Sequence, residues 1–358
     1  MSTRINFIGI SSTALLGAVL VLFAPMRLNS LVAATVTSTP EATSAATAQA
    51  IQNLYPVEKD GKWGYIDTMG KLVIQPQYEY ADTFHDGMAE VGVINKDGYR
   101  ILGYIDSMGR LVVQPQYDLV FPFSEGLAAV QIDNKWGYID TTGKLVIQPQ
   151  FDSTLKFSEG LASVGIGRQF GYIDKTGKFI VSLQYPIASD FSEGLAAVDV
   201  GGFFGYIDAT GRLVIQPQYD AADLFTEGLA LIRIGNKFGY IDKTGKLVIQ
   251  PQYEYGDYFR EGLAAVKIDN KYGYIDKTGK LVIQSQYDFG NYFSEGLAVV
   301  AVGPTNGKYG YIDTTGKLVI QLKYDYAAPF KYGLANVTIG DKSGYIDKTE
   351  KYVWEPSN

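Results

Sequence analysis

One tetrapeptide recurs through this chain at an almost constant interval. Gly-Tyr-Ile-Asp begins at nine positions: Gly64, Gly103, Gly137, Gly171, Gly205, Gly239, Gly273, Gly310 and Gly344. Successive copies lie 34 residues apart, except for one interval of 39 residues and one of 37. A fixed period of this length indicates stacked copies of one small supersecondary unit. The repeats therefore predict a single array, because such an array can grow without dividing into separate cores.

Each copy has the pattern of three short β-strands separated by turn residues. In residues 262–295, runs rich in β-branched and aromatic residues alternate with the turn sequences Asp269-Asn270 and Asp276-Lys-Thr-Gly279. These residue types accept the backbone conformations of a tight hairpin and of a type I turn. Gln-Pro-Gln-Tyr follows the third strand in most copies, and its proline is expected to end the pairing. The pattern predicts an all-β tandem array of about nine three-stranded antiparallel β-meander repeats.

The ends of the array favour an open β-solenoid over a closed ring. Both strand faces carry apolar residues, so each meander needs neighbours to cover it. In the last copy, Ser343 replaces the aromatic residue before Gly, and Glu350 replaces the turn Gly. Terminal units with more polar faces are typical of open arrays. We therefore expect an open solenoid over residues 54–358, with a β-propeller-like ring as the alternative.

The amino-terminal residues lie outside the array. Arg4 precedes an apolar run from Ile5 to Met26, and small side chains near Ala34 are typical of a signal-peptide cleavage site. The run is also about 20 residues long, which is enough to span a bilayer uncut. Residues 1–34 are therefore predicted to be a signal peptide or a membrane anchor, and residues 35–53 a flexible stalk rich in Thr, Ser and Ala. Either alternative predicts an exported protein, in the periplasm, outside the cell or associated with the cell envelope.

The composition excludes several kinds of site. The chain contains no Cys, which excludes disulfides, thiolate metal sites and cysteine nucleophiles. It contains one His, His85, which stands beside Asp86 with no nucleophile nearby in the sequence. The formal net charge is −7, which disfavours binding to nucleic acid. We therefore expect no nucleic-acid partner.

The recurring acidic residues are better explained by turns than by catalysis or metal binding. The Asp of Gly-Tyr-Ile-Asp opens the Asp-x-Thr-Gly turn, and one Asp in each copy does not gather the six or more oxygens that calcium needs. The Glu of the Ser-Glu-Gly position occurs in six equivalent copies, four of them with Ser, which argues against one unique pair of catalytic carboxylates. We predict no catalytic residue, no metal site, no cofactor and no enzymatic activity.

The sequence resembles a known repeat family. Lys-Trp-Gly-Tyr-Ile-Asp at residues 62–67 and 135–140 is similar to the signature of the WG-repeat family, also called KWG repeats. The resemblance spans nearly all of residues 54–354, although only two copies retain Trp before Gly. It implies a bacterial repeat module that is often exported and has no general activity.

Two features are candidates for a binding surface. The aromatic residue before Gly either packs between copies or forms an exposed ladder of rings for sugars or a partner's side chains. The two hairpins that break the period either project toward a ligand or have drifted as tolerant surface loops. The column before Gly contains Trp63, Trp136, Phe170, Phe204, Phe238, Tyr272 and Tyr309, and the two loops contain Lys96, Tyr99, Arg100, Thr305 and Asn306.

Taken together, these patterns predict a non-enzymatic exported repeat scaffold that mediates protein–protein interaction. The alternative is a cell-wall or polysaccharide-binding module that uses the aromatic columns. The expected partner is accordingly an unidentified protein or a cell-wall glycan. Contact with a membrane is expected only through an uncleaved amino-terminal segment.

Overall fold

The computed structural model describes residues 53–303 and 307–357. These two ranges contain β-strands and turns, and no helix among them is long and apolar enough to cross a membrane. The predicted signal peptide or anchor and almost all of the predicted stalk lie outside the described residues, as do Thr305 and Asn306.

The described strands form nine antiparallel sheets that follow one another in chain order. Sheets 1 to 3 contain β1 (Tyr55–Lys59), β2 (Lys62–Ile66) and β3 (Leu72–Tyr78); β4 (Tyr80–Ala81), β5 (Met88–Ile94), β6 (Arg100–Asp106) and β7 (Leu111–Tyr117); and β8 (Leu127–Ile132), β9 (Lys135–Asp140) and β10 (Leu145–Phe151). Sheets 4 to 6 contain β11 (Ser153–Thr154), β12 (Leu161–Ile166), β13 (Gln169–Asp174) and β14 (Phe179–Tyr185); β15 (Leu195–Val200), β16 (Phe203–Asp208) and β17 (Leu213–Tyr219); and β18 (Ala221–Thr226), β19 (Leu229–Ile234), β20 (Lys237–Asp242) and β21 (Leu247–Tyr253). Sheets 7 to 9 contain β22 (Tyr255–Gly256), β23 (Leu263–Ile268), β24 (Lys271–Asp276) and β25 (Leu281–Tyr287); β26 (Phe289–Ser294), β27 (Leu297–Val302), β28 (Lys308–Asp313) and β29 (Leu318–Tyr324); and β30 (Tyr326–Ala327), β31 (Leu334–Ile339), β32 (Lys342–Asp347) and β33 (Tyr352–Ser357).

The predicted all-β array of small antiparallel meanders is confirmed. Six of the nine sheets have an additional strand before the meander, which the sequence pattern did not predict. In sheets 3 and 5 a single bridge, such as Val120 to Val130, takes its place. This added strand has two residues in sheets 2, 4, 7 and 9 and six residues in sheets 6 and 8. It precedes the turn in which the Glu and the Gly have positive φ, as at Glu125 (53°) and Gly126 (82°).

The predicted turns form at opposite ends of each sheet. Asp133 and Asn134 have φ of 50° and 60° in the hairpin between β8 and β9, as the two-residue link requires. At the other end, Asp140 Oδ1 accepts hydrogen bonds from the amides of Thr142 at 2.9 Å and Lys144 at 3.1 Å. We call the first the hairpin end of a sheet and the second its turn end.

The prediction that pairing stops at proline is wrong. In sheet 1, β3 continues through Pro76, and Trp63 pairs with Tyr78 after a bulge in the ladder. The bulge removes proline from the hydrogen-bonding positions and brings its backbone close to Gly64. A Cβ at Gly64 would lie 2.4 Å from the Ile74 oxygen, so only glycine fits before Tyr-Ile-Asp.

The core lies between successive sheets. In eight copies the tyrosine of Gly-Tyr-Ile-Asp is buried against the phenylalanine at the start of the next sheet, as with Tyr138 and Phe157, whose ring centroids are 4.8 Å apart. The hydroxyl of Tyr138 also donates to the Leu155 oxygen at 2.8 Å. Since an isolated sheet would expose both groups, every sheet depends on its neighbour for stability.

The array is a closed ring of nine sheets, so the preference for an open solenoid is wrong. Eight motif tyrosines donate to a carbonyl in the following sheet, and the ninth, Tyr345, donates to the Pro56 oxygen of sheet 1 at 3.0 Å. Tyr55 packs on Tyr345 at 5.2 Å and donates to the oxygens of Lys331 and Tyr332. Polar substitutions in the last copy suggested a free end, but Ser343 and Glu350 lie away from this buried contact.

Candidate functional site

The residues before Gly lie near the hairpin end of the second long strand of each sheet. Each pairs with the aromatic residue that ends the third strand, as Phe238 does with Tyr253. Trp136 is only 8% exposed and stacks on Phe121 with centroids 4.9 Å apart. Phe204 is also buried. These two positions present no open ring face to a ligand.

The other members of the predicted column are half-buried. They are Trp63, Phe170, Phe238, Tyr272 and Tyr309. Several lysines beside the column form ion pairs with an acidic residue that leads into the following sheet. Lys135 pairs with Asp152 at 2.5 Å, and Lys271 pairs with Asp288 at 2.6 Å.

Six rings form a continuous series across sheets 6 to 9, which we call the aromatic arc. The rings are Phe238, Tyr255, Tyr272, Phe289, Tyr309 and Tyr326, in order along the series. Neighbouring centroids are 6.0, 5.9, 6.3, 5.5 and 6.5 Å apart. Phe289 and Tyr326 are the most exposed, at 37% and 38%.

The arc combines two sequence positions, and only one was predicted. Phe238, Tyr272 and Tyr309 belong to the column before Gly. The other three stand two residues after the aromatic residue that ends the preceding third strand. The patterns Tyr-Glu-Tyr, Tyr-Asp-Phe and Tyr-Asp-Tyr at residues 253–255, 287–289 and 324–326 were visible in the sequence and could have revealed this position.

The arc is confined to one part of the ring because the second position varies. In sheets 3 to 6 it is occupied by Leu119, Ser153, Ile187 and Ala221. Without a ring at this position, the residue before Gly has no aromatic neighbour to continue the series. The repeat symmetry is therefore broken in favour of sheets 6 to 9.

A polar cluster lies beside the arc, on the first strands of sheets 6 and 8 and directly after the first strand of sheet 7. Burial raises the pKa of Asp257 to about 6, against the opposing hydrogen bond from the Tyr258 amide. Burial also raises the pKa of Asp223. Burial, and then the charge of Asp257 two residues away, raises the pKa of Tyr255 in the arc. Within the described ranges, no lysine or arginine forms an ion pair with either carboxylate.

An arginine side chain lies over two aromatic rings of this cluster. The Arg260 guanidinium lies 5.0 Å from the centroid of Tyr258 and 4.3 Å from that of Tyr292. The two tyrosines stack with centroids 5.6 Å apart. Such contacts are the geometry of cation–π attraction.

The predicted loop residues lie in another part of the ring. Lys96, Tyr99 and Arg100 belong to the long hairpin of sheet 2, where Tyr99 is exposed. The Arg100 guanidinium lies 4.8 Å from the centroid of the Tyr80 ring. The structure therefore does not bring these residues together with the aromatic arc.

The remaining polar candidates make structural contacts. Glu193, at a Ser-Glu-Gly turn, accepts from the Gly228 amide of the next sheet at 3.1 Å and pairs with Lys243 at 3.0 Å. His85 Nε2 lies 3.0 Å from the Thr83 hydroxyl, and burial lowers its pKa. No three residues of the described chain that could ligate a metal are grouped to hold one.

Solved structures are similar to this chain at low sequence identity. A structure described as the eukaryotic initiation factor has a TM-score of 0.55 and 10% identity, covering 77% of this chain and 86% of that chain. Dihydro-heme d1 dehydrogenase NirN has a TM-score of 0.46 and 12% identity, covering 77% and 74%. KlHsv2 has a TM-score of 0.40 and 9% identity, covering 65% and 94%. No curated protein sequence is significantly similar to this chain.

A closed ring of nine small sheets, held together by one tyrosine link per sheet, defines a β-propeller-like repeat protein. The profile of the WG-containing repeat matches eight segments of the chain: residues 63–96, 103–136, 136–167, 170–202, 204–238, 238–272, 272–303 and 309–342. The chain therefore belongs to this repeat family, as the sequence resemblance indicated.

Proposed function

We propose that this protein is an exported, non-enzymatic scaffold that binds a partner protein through the aromatic arc. The observation that supports this most directly is the continuous series of six partly exposed aromatic side chains across sheets 6 to 9. Tyrosine and phenylalanine supply large, rigid contact area and are enriched in the centres of protein interfaces. A monomer has no folding reason to leave Phe289 and Tyr326 more than one-third exposed in a series with four further rings.

The geometry of the rings favours a protein partner over a glycan. Sugars stack on open, flat ring faces. In the arc, neighbouring rings meet at steep angles, such as 66° for Tyr255 and Tyr272 and 65° for Phe289 and Tyr309. Each ring edge therefore covers part of its neighbour's face, which leaves furrows suited to side chains.

The non-enzymatic part of the proposal is supported by how the recurring polar residues are used. Asp140 and its equivalents form the turns, and Glu193 and its equivalents join neighbouring sheets. Export is proposed from the amino-terminal sequence alone. The mass of the protein isolated from its host would test it, since cleavage after residue 34 removes the apolar run, whereas an anchor retains it.

A photo-crosslinking amino acid placed at position 289 in the host cell would test the interaction. Phe179 is the matched control, because it is equally exposed (37%) but lies on an outer strand of sheet 4. The proposal expects a discrete protein adduct from position 289 that is absent from position 179 and lost when Tyr272→Ala is added. Adducts of equal pattern from both positions would contradict it. Pelleting with cell-wall sacculi that soluble sugars reverse would support the glycan alternative instead.

A further inference from the structure

The charges around the aromatic arc indicate what kind of partner segment it fits. Aromatic rings in and beside the arc already accept cations from the chain itself: Lys267 Nζ lies 5.7 Å from the centroid of Tyr272 in the arc, and Arg260 covers two rings of the neighbouring cluster. Cations lie over aromatic faces because the ring quadrupole is negative there. A cationic side chain from outside can use the same faces.

The carboxylates beside the arc form no ion pair within the described residues, although the charge of Arg260 opposes the rise in the pKa of Asp257. At the hairpin end of sheet 8, for example, Asp288 forms an ion pair with Lys271. Asp223 and Asp257, by contrast, form no ion pair within the described part of the chain. Each uses one oxygen to accept a neighbouring amide, from Leu224 at 2.7 Å and from Tyr258 at 2.8 Å.

Partial burial makes these two charges unusually dependent on a partner. An ionised carboxylate removed from water is costly unless it is paired. Asp223 is half-buried and Asp257 is 6% exposed, yet the nearby cation, Arg260, points over rings instead of pairing with them. A cation brought by a ligand would offset this desolvation, and the formal net charge of −7 attracts such a ligand over longer distances.

We propose that the aromatic arc binds an extended basic segment of a partner protein, whose Lys or Arg side chains lie over the rings and face Asp223 and Asp257. This inference rests on the proposed function, because it specifies the chemistry of the partner at the same surface. An uncharged segment would use the rings but leave the carboxylates unpaired.

Fluorescence anisotropy with labelled peptides tests the inference on the full-length protein. The probes are a 12-residue peptide of alternating Arg and Gly, and the same peptide with citrulline, which keeps the shape of Arg without its charge. The inference expects the Arg peptide to bind about tenfold more tightly than the citrulline peptide, and its affinity to fall steeply with added salt. Equal affinity of the two peptides would overturn it.

Matched variants separate a local site from general attraction to an acidic protein. The double substitution Asp223→Asn and Asp257→Asn should weaken Arg-peptide binding about tenfold, since each Asn oxygen can still accept the neighbouring amide. Asp118→Asn combined with Glu159→Gln removes the same charge from other sheets and should leave the affinity within about twofold. Equal losses in both double variants would refute a local site.

A second pair of variants tests for a gain of peptide affinity instead of a loss. Arg260→Ala removes the internal cation from Tyr258 and Tyr292 and should strengthen peptide binding, whereas Arg168→Ala, in an exposed hairpin of sheet 4, removes the same charge without exposing rings. No difference between the two variants would contradict the inference. If these peptide tests fail while the crosslink from position 289 persists, the partner is not basic but the scaffold function stands. If the crosslink fails as well, both proposals fall.

Discussion

Tyr55 is the side chain on which closure of the ring most depends. In the strand register, Tyr55 pairs with Ile66 as Ala128 pairs with Ile139, so an aromatic residue occupies a position that is alanine in an internal sheet. Its ring meets Tyr345 edge-on at 5.2 Å, which is the contact that a phenylalanine makes with the motif tyrosine elsewhere. Tyr55 thus replaces the phenylalanine that would precede sheet 1.

Substituting Tyr55 should be as costly as substituting a residue in the middle of the ring. Tyr55 is 5% exposed, and truncating a buried aromatic side chain to Ala removes about 3–5 kcal/mol of the free energy of unfolding. Tyr55→Phe should cost about 1–2 kcal/mol, because the Lys331 and Tyr332 oxygens lose their donor. In an open array, Tyr55 would lie on a bare end, and either change would cost less than about 0.5 kcal/mol.

Urea denaturation followed by circular dichroism measures these differences. Phe157→Ala is the internal control, since Phe157 makes the equivalent contact with Tyr138. Closure predicts that Tyr55→Ala and Phe157→Ala lower the unfolding free energy by similar amounts. A near-wild-type midpoint for Tyr55→Ala, with a large loss for Phe157→Ala, would refute the closed ring.

Three further predictions concern single positions and are checked by thermal or urea unfolding. Gly239→Ala should destabilise by about 2 kcal/mol or more, because its Cβ would lie 2.6 Å from the Ile249 oxygen; a neutral effect would disprove the close approach. Asp242→Ala should cost about 1 kcal/mol, since the amides of the Asp-x-Thr-Gly turn lose their acceptor, and an unchanged midpoint would argue against this role. Burial, and then the charge of Asp82, raises the pKa of Glu90 to about 8 from 4.5, so folding takes up a proton and stability should fall as pH rises from about 4.5 to about 8. The loss at neutral pH is on the order of 3 kcal/mol, and Glu90→Gln should flatten the pH dependence; an equal slope in that variant would contradict the assignment.

The local structure of each repeat could be predicted because its signals lie within a few residues. Asp133-Asn134 requires positive φ at two adjacent positions, and Asp140 needs only the amides two and four residues later. Both are properties of short segments. Because the repeat has a period of 34 residues, one correct local prediction applies to all nine sheets.

Closure of the ring could not be predicted from local sequence signals. It depends on Tyr55 and Tyr345, which are separated by most of the chain, and on the curvature that accumulates over nine sheets. Neither quantity has a local signature. The replacement of alanine by Tyr55 was a visible departure from the repeat, but its meaning depends on knowing that sheet 9 lies beside it.

The aromatic arc shows the same limit at the scale of a site. Half of its rings occupy the column before Gly, and the other half, such as Tyr255 and Phe289, belong to the segment that crosses to the next sheet. The sequence presents these positions 17 residues apart, as in Phe238 and Tyr255, whereas the ring places them in contact. A search for binding residues within one repeat therefore finds only alternate members of the series.

The location of the arc follows from two opposing requirements: residues that pack the sheets together must recur, and residues that select a partner must not. Residues that hold the ring together, such as the motif tyrosine and Glu193, must recur in successive sheets, because each sheet needs the same neighbour contact. A surface that selects one partner cannot recur without binding it in nine places. The positions free to differ are those whose side chains leave the packing between sheets intact, and Ser153, Ala221 and Tyr255 occupy one such position. A ligand site on this fold is thus expected where that position is aromatic over consecutive sheets, which is the case from Tyr255 to Tyr326.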